Sequence, residues 1–213
     1  MKKIHIKNFE DDRIVVKPAS KESTNSLIFF DSGLTSVPPF IVKDYRIQFL
    51  SYFIKKEYSS ILDISCGFNA TILKWAKWRG FTKVVGTNID ESAIRQNRLD
   101  GLDCIKLDLN ETPLHLPFND NSFDVVVCTE VIEHIKNPKM VINELVRVSK
   151  HLCFVTTPVQ DSYFSDEHIQ FWNNIDEIES TIKEFDSYFI RLIVTKPVDF
   201  ILNQRSFVFA IFK

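Results

Sequence analysis

No stretch of the 213-residue sequence reaches the ~18 consecutive apolar residues of a membrane-spanning helix. The start, Met1-Lys2-Lys3-Ile4-His5, is basic, but no apolar run or small-residue cleavage site follows it. A signal peptide is therefore not expected, and a cytoplasmic location is. There is no C-x-x-C pair among Cys66, Cys104, Cys128 and Cys153, which argues against a zinc knuckle or a dithiol redox motif. Cys128 and Cys153 sit inside apolar runs and Cys104 opens a shorter one, the setting of buried free thiols in a reducing compartment. There is also no strong excess of charge. A formal net charge of −2 is a poor footprint for gripping a long nucleic acid, which calls for a basic face. Internal repeats and low-complexity tracts are missing too. What remains, 45% hydrophobic and 25% charged residues, is the composition of one globular domain with a sizeable core.

From residue 41 onward, strand and helix patterns alternate. Ile47, Leu50, Phe53 and Ile54 have helical spacing over Tyr45–Lys56, with Asp44 as N-cap. Ser60–Ser65 reads as a buried strand. Asn69 is expected to cap a helix through Trp75 to Arg79, with Gly80 at the C′ position. Lys83–Ile89, Cys104–Leu109, Phe123–Cys128 and Leu152–Thr157 read as strands. Asp90 caps a helix through Leu99, and Asn137-Pro138 starts another that runs to about Lys150. Ile175, Ile178, Ile182 and Phe185 are spaced for a helix. Tyr188–Thr195 and Phe207–Phe212 leave no room for a helix between them and pair as an antiparallel hairpin. The expected fold is α/β: a Rossmann-like, doubly wound, seven-stranded sheet, mostly parallel with one antiparallel strand and helices on both faces. Residues 1–40 read as an arm or lid belonging to the same domain, and 41–213 as the domain itself. In the arm, Ile4–Ile6 and Ile14–Val16 can be short strands, Ser20–Ser26 is loop-like, and Gly33, Pro38 and Pro39 punctuate Asp31–Pro39.

Ligands of such sheets bind beyond the carboxyl ends of the strands, near the reversal in strand order. Four successive strand ends carry suitable residues. After the first, Asp63 leads into the tight turn Ser65-Cys66-Gly67. Gly67 permits close backbone approach to a ligand, and Asp63 can hold a cationic amine. The second ends in Asn88-Ile89, about twenty residues after the glycine turn, where a polar side chain meets ribose hydroxyls. The third ends in Asp108-Leu109, where Asp108 either accepts from an adenine amine or caps a loop. The fourth ends in Cys128-Thr129-Glu130. Each alone is weak; four in order make a nucleoside site.

Three segments carry a family resemblance: Leu62-Asp63-Ile64-Ser65-Cys66-Gly67, then Leu116-Pro117-Phe118-Asn119-Asp120-Asn121-Ser122-Phe123-Asp124, then Glu130-Val131-Ile132-Glu133-His134. The stretch from Ile61 to about Trp172 resembles class I S-adenosylmethionine-dependent methyltransferases, especially the group with MetW-like proteins and ubiquinone-pathway O-methyltransferases. The resemblance implies that Asp63 and the Ser65–Gly67 turn hold the methionyl part of the cofactor. It implies that Asn88 faces the ribose, that Asp108 with Leu109 frames the adenine, and that the main chain near Cys128 meets the methionyl amine. The family usually has glycine where this chain has Ser65 and Asn69, and an acid where it has Asn88. Asn69 tolerates left-handed backbone and can keep the turn. Asn88 offers one acceptor and a donor group where a carboxylate accepts from both hydroxyls.

Glu130, Glu133 and His134 fall at i, i+3 and i+4, so one helical turn projects them from one side. His168, beyond the fifth strand, is expected to face them. Two carboxylates and two imidazoles can hold a divalent cation such as Mg²⁺, Mn²⁺, Fe²⁺ or Zn²⁺. The pattern is similar to that of small-RNA 2′-O-methyltransferases and some ubiquinone-pathway enzymes; equally, Glu133 and His134 can simply brace a loop. Without a metal, His134 or His168 is the candidate general base. The leading expectation is therefore methyl transfer from S-adenosylmethionine to an oxygen of a small-molecule acceptor, with Glu130, His134 and His168 at the acceptor. Determinants of that acceptor are expected in the arm and in the loop Gln160–Trp172. Two alternatives stay open. One is 2′-O-methylation of an RNA end at a metal site, against which the charge speaks. The other is a non-catalytic MetW-like domain that senses the cofactor, kept open by Ser65, Asn69 and Asn88.

Overall fold

Short runs rich in β-branched residues form the strands, and amphipathic stretches with polar caps form the helices that cover them. The computed structural model describes residues 4–5, 14–18, 26–28, 44–158, 166–173, 175–182, 189–194 and 206–213. Three strands come from the N-terminal arm: β1 (Ile4–His5), β2 (Ile14–Pro18) and β3 (Ser26–Ile28). The stretch Asp31–Pro39 and most of Ser20–Ser26 lie outside the described residues. Then follow α1 (Tyr45–Phe53), β4 (Ser60–Ile64), α2 (Thr71–Trp78), β5 (Lys83–Asn88), α3 (Glu91–Leu99), β6 (Asp103–Lys106) and β7 (Phe123–Thr129). A 3₁₀ turn (Ile132–His134), α4 (Pro138–Val148), β8 (Ser149–Pro158), α5 (Ile175–Ile182), β9 (Phe189–Val194) and β10 (Ser206–Phe212) complete the described elements.

The sheet order is β3-β2-β1-β9-β10-β8-β7-β4-β5-β6. Strands β4 to β8 are mutually parallel, and β10 runs antiparallel to both β8 and β9. This is the expected Rossmann-like α/β sheet, but the strand count differs. Among the described residues the order holds ten strands, not seven, because the arm extends the sheet. β1 pairs in parallel with β9, and β2 and β3 add antiparallel pairs beyond it. β1 covers the outer edge of β9 at Arg191 and Leu192.

Period-2 alternation divides the core between the two faces of the sheet. Val125 and Val127 of β7 pack with Ile47 and Leu50 of α1 and with Leu73 and Trp75 of α2. Val126 and Cys128 point the other way, among Val141, Ile142 and Leu145 of α4 and Ile178 of α5. Trp75 is buried, as packing demands, while Trp78 is 44% exposed.

The caps follow the sequence with one exception. Asp44 accepts from the Arg46 N–H, Asp90 from Ser92 and Ala93, and Asn137 from Met140, with Pro138 opening α4. Asn69, however, does not cap α2. That helix begins at Thr71 after Ala70, which adopts φ 43° and has no side-chain cap. The left-handed angles of the turn fall on Ser65 (φ 55°), Gly67 (φ 68°) and Ala70, not on Asn69. The turn winds through six residues before the helix starts, so its tightest points lie at its two ends and at Gly67.

The segment Leu116–Asp124 proves to be a bracket. Arg147 of α4 donates to the carbonyls of Leu116 and Phe118 and to the carboxylates of Glu144 and Asp120. Glu144 in turn accepts from the Leu116 N–H. At the motif's other end, Asp124 Oδ2 accepts from the N–H of Ser59 (2.9 Å) and Ser60 (3.0 Å) and from both hydroxyls. Asp124→Ala is expected to leave those donors short of partners at the amino end of β4. It should cost roughly 3 kcal/mol, two charge-assisted hydrogen bonds' worth, read as a lowered urea midpoint with an unchanged slope.

Candidate active site

The strand order reverses between β4 and β7, and a cleft opens at the carboxyl ends of these strands. It has a volume of about 190 Å³ and is lined by Asp63, Ser65, Cys66 and Gly67, with Arg46, Thr129 and the residues from Phe68 to Ile72. Asp63 is only 2% exposed. Burial pushes its carboxyl up to about 7; Arg46 partly counters this and Asp44 adds to it. A buried carboxyl that titrates so high gains much from an arriving cation. Asp44 holds Arg46 at the rim through Nε (2.9 Å) and Nη2 (2.6 Å).

The turn is braced from outside the cleft. Ser65 N–H donates to Thr87 Oγ1 and Cys66 N–H to the Thr87 carbonyl. From α3, Asn97 Nδ2 donates to the Gly67 carbonyl at 2.9 Å. Gly86 beneath must lack a side chain, since a Cβ there would lie 2.6 Å from Leu73 Cδ1 and 2.9 Å from Cys66 Sγ.

The other expected cofactor residues do not line this cleft. Asn88 ends β5, nearly buried, and its Oδ1 accepts from the Asp90 N–H at 3.0 Å. Ile89 beside it is 54% exposed. Asp108 accepts from the Asn110 N–H at 2.8 Å, the loop-cap arrangement, and Leu109 is buried. Cys128 is buried within β7.

Past the end of β7, Glu130 adopts φ 54° and turns the chain into the 3₁₀ segment. Glu133, His134 and His168 converge there, with one ligand atom of each within 4.8 Å of the others. Glu130 stands outside that group of three, and its Oε1 accepts from Thr156 Oγ1 at 2.7 Å. Glu133 is 1% exposed and accepts from Thr157 Oγ1 at 3.1 Å. Burial, then the like charge of Glu130, pushes its carboxyl up to about 8. The His134 and His168 rings meet edge to face with centroids 4.9 Å apart. Burial, then the neighbouring His134, lowers the His168 pKa, while Glu167 opposes. The loop that carries His168 is tied down by its main chain, as the Ile169 and Gln170 N–H groups both donate to the Glu133 carbonyl at 2.9 Å. Ile169 and Phe171 stand exposed beside His168.

Residues 62–154 match the family described as a methyltransferase domain. A ubiquinone biosynthesis O-methyltransferase of Hahella chejuensis is 30% identical over 127 residues, covering 58% of this chain and 50% of that protein. One from Hydrogenovibrio crunogenus is 28% identical over 112 residues, covering 51% and 46%. The chain thus spans about half the length of these curated relatives. The structure of an S-adenosylmethionine dependent methyltransferase from Mesorhizobium loti superposes with a TM-score of 0.62 over 80% of this chain and 98% of that one, at 12% identity. The chain carries a methyltransferase domain over residues 62–154 and is similar to class I S-adenosylmethionine-dependent methyltransferases.

Besides the Phe68–Ile72 stretch, the cleft side chains to which the sequence analysis gave no cofactor role are Arg46 and Thr129. Thr129 is the last residue of β7 and answers to the strand-end rule. Arg46 lies next to the cap of a helix distant in sequence from β4, and no local pattern links it to Asp63. No helix among the described residues is long and apolar enough to cross a membrane.

Proposed function

We propose that this methyltransferase transfers a methyl group to an oxygen of a small-molecule acceptor. The observation that carries the reading is the buried Asp63 beside a turn-lined cleft at the strand-order reversal, with Glu133, His134 and His168 gathered past the adjacent strand end. S-adenosylmethionine supplies an electrophilic methyl on a sulfonium centre. Asp63 and Arg46 offer opposite charges for the amine and carboxylate of an amino-acid moiety, and the Ser65–Gly67 turn offers backbone groups. The structure does not bring Asn88 or Asp108 to that cleft, so their proposed parts are the ribose and adenine ends at the tips of β5 and β6.

The acceptor hydroxyl must lose a proton as its oxygen attacks. His168, whose pKa is held low, is neutral at physiological pH and can take that proton, with His134 beside it. The Glu133, His134 and His168 donors also fit a divalent cation of the Mg²⁺, Mn²⁺, Fe²⁺ or Zn²⁺ class, since they are oxygen and imidazole ligands and the buried Glu133 carboxyl gains from a positive charge. Such a cation would acidify the hydroxyl it touches. The oxygen acceptor is supported by the ubiquinone O-methyltransferases among the relatives and by the imidazole pair where the acceptor arrives.

The test is calorimetric titration with S-adenosylmethionine and S-adenosylhomocysteine, with and without Mn²⁺, followed by a turnover assay on phenols and alcohols. Micromolar binding of both ligands, with S-adenosylhomocysteine released only when a hydroxyl acceptor is present, is the expected outcome. Binding of neither ligand would sink the reading and leave a fold used for interaction.

A further inference from the structure

Two thiols outside the proposed chemistry lie in contact. Cys66 Sγ, in the cleft-lining turn, is 3.8 Å from Cys104 Sγ on β6. The contact is built into the backbone. Cys104 is the register partner of Gly86, and the missing side chain at Gly86 is what lets the Cys66 sulfur lie over the β5–β6 seam. Asn97 holds the turn in place, donating to the Gly67 carbonyl and approaching Cys66 Sγ at 3.5 Å. Cys66 is partly open to the cleft, Cys104 is buried, and Cys128 and Cys153 are buried in β7 and β8. A reagent entering the cleft therefore meets one thiol with a second directly behind it, an attacking and a resolving position.

We propose that Cys66 and Cys104 form an oxidative modification site, closing to a disulfide that lowers the chain's affinity for its cofactor. The oxidant is a low-molecular-weight disulfide. Cys66 attacks one of its sulfurs, forming a mixed disulfide and releasing one small thiol. Cys104 then attacks the Cys66 sulfur and releases the second. Two protein thiols lose two electrons and two protons, and one small disulfide becomes two small thiols. Burial of Cys66, reinforced by the Asp63 carboxyl and by Cys104, keeps it a thiol, so the first attack is slow and the reduced pair carries no mutual repulsion.

Closing the bond draws the sulfurs from 3.8 Å to ~2.05 Å. The shift must be taken up by the turn, by β6, or by both. The turn lines the cleft with Asp63, and β6 leads into Asp108 and Leu109. On the proposed cofactor reading, either movement displaces part of the binding site.

The experiment incubates the reduced, full-length protein with oxidised glutathione at pH 8 and maps peptides by mass spectrometry without reduction. A Cys66–Cys104 link is expected, with Cys128 and Cys153 open to alkylation only after denaturation. Cys104→Ser should stop at glutathione on Cys66, and bound S-adenosylhomocysteine should slow that step. Titration of the linked protein should show S-adenosylmethionine affinity reduced about tenfold. No link in the folded protein, or equal linkage of Cys128 and Cys153, overturns the proposal. A linked protein with unchanged affinity overturns its coupling to the cofactor. If the reduced protein binds no cofactor yet forms the link, the cofactor reading falls and the disulfide stands.

Discussion

Asp63→Asn should remove measurable binding of S-adenosylmethionine while making the protein more resistant to heat. The two effects have one cause. The carboxyl of Asp63 titrates at about 7 in the fold, against the usual 3.8. The folded state therefore holds this proton more tightly than the unfolded chain. Its stability cost is absent below about pH 4, grows between pH 4 and 7, and is fully present above 7. Three pK units set an upper bound of about 4 kcal/mol on that cost. Asparagine keeps the shape and carries no charge, so the variant should gain roughly 1 to 3 kcal/mol at pH 8 and little at pH 4. The same charge is what a cationic amine would bind, so the wild-type affinity should fall about tenfold per pH unit below 7. Calorimetry at pH 6, 7 and 8, with thermal melts of both proteins, reads both quantities. A variant that binds the cofactor as well as wild type would remove Asp63 from the site. A variant that is less stable at pH 8 would show the carboxyl to be a structural partner instead.

What the sequence reveals and what it hides separate along physical lines. Strands β4, β5, β7 and β8 were legible because runs of Ile, Val and Leu bounded by polar turns have one reading in a buried sheet. Asp44, Asp90 and Asn137 were legible as caps because a short side-chain acceptor needs only the next two or three N–H groups. The helix after Gly67 was misplaced, since Ser65 and Ala70 take left-handed backbone that neither residue type advertises. Its bracing by Thr87 and Asn97 comes from β5 and α3, out of reach of any local pattern. The arm's strands were visible as apolar pairs, but their partner β9 was not, so the sheet grew beyond seven strands. At the site, Asp63, Ser65, Cys66 and Gly67 share one cleft because a single strand and turn carry them. Asn88 and Asp108 are engaged by their own loops, at Asp90 and Asn110. The contact between Cys66 and Cys104 joins residues 38 apart and appears only once Gly86 is seen beneath them.

The His168 ring can be removed with little disturbance of the fold, because backbone bonds hold its loop. The loop bearing His168 hangs on the Glu133 carbonyl through Ile169 and Gln170, and His134 Nδ1 lies 3.0 Å from the Glu167 carbonyl. His168→Ala removes the ring and leaves both backbone bonds. If His168 takes the acceptor proton, this variant should lose about 100- to 10,000-fold in kcat, the usual range for a general base. Its affinity for S-adenosylmethionine should stay within about twofold of wild type, since the Asp63 cleft is untouched. His134→Ala should fall in the same range, and the double variant should lose little more, because the two rings act as a unit. A metal-holding role predicts something further. Chelation would then reduce wild-type turnover to near the variants' level, and Mn²⁺ would restore the wild type alone. A base acting without metal predicts a chelator-insensitive wild type. Both roles require the loss in kcat, so a His168→Ala protein that turns over normally would move the acceptor away from this cluster.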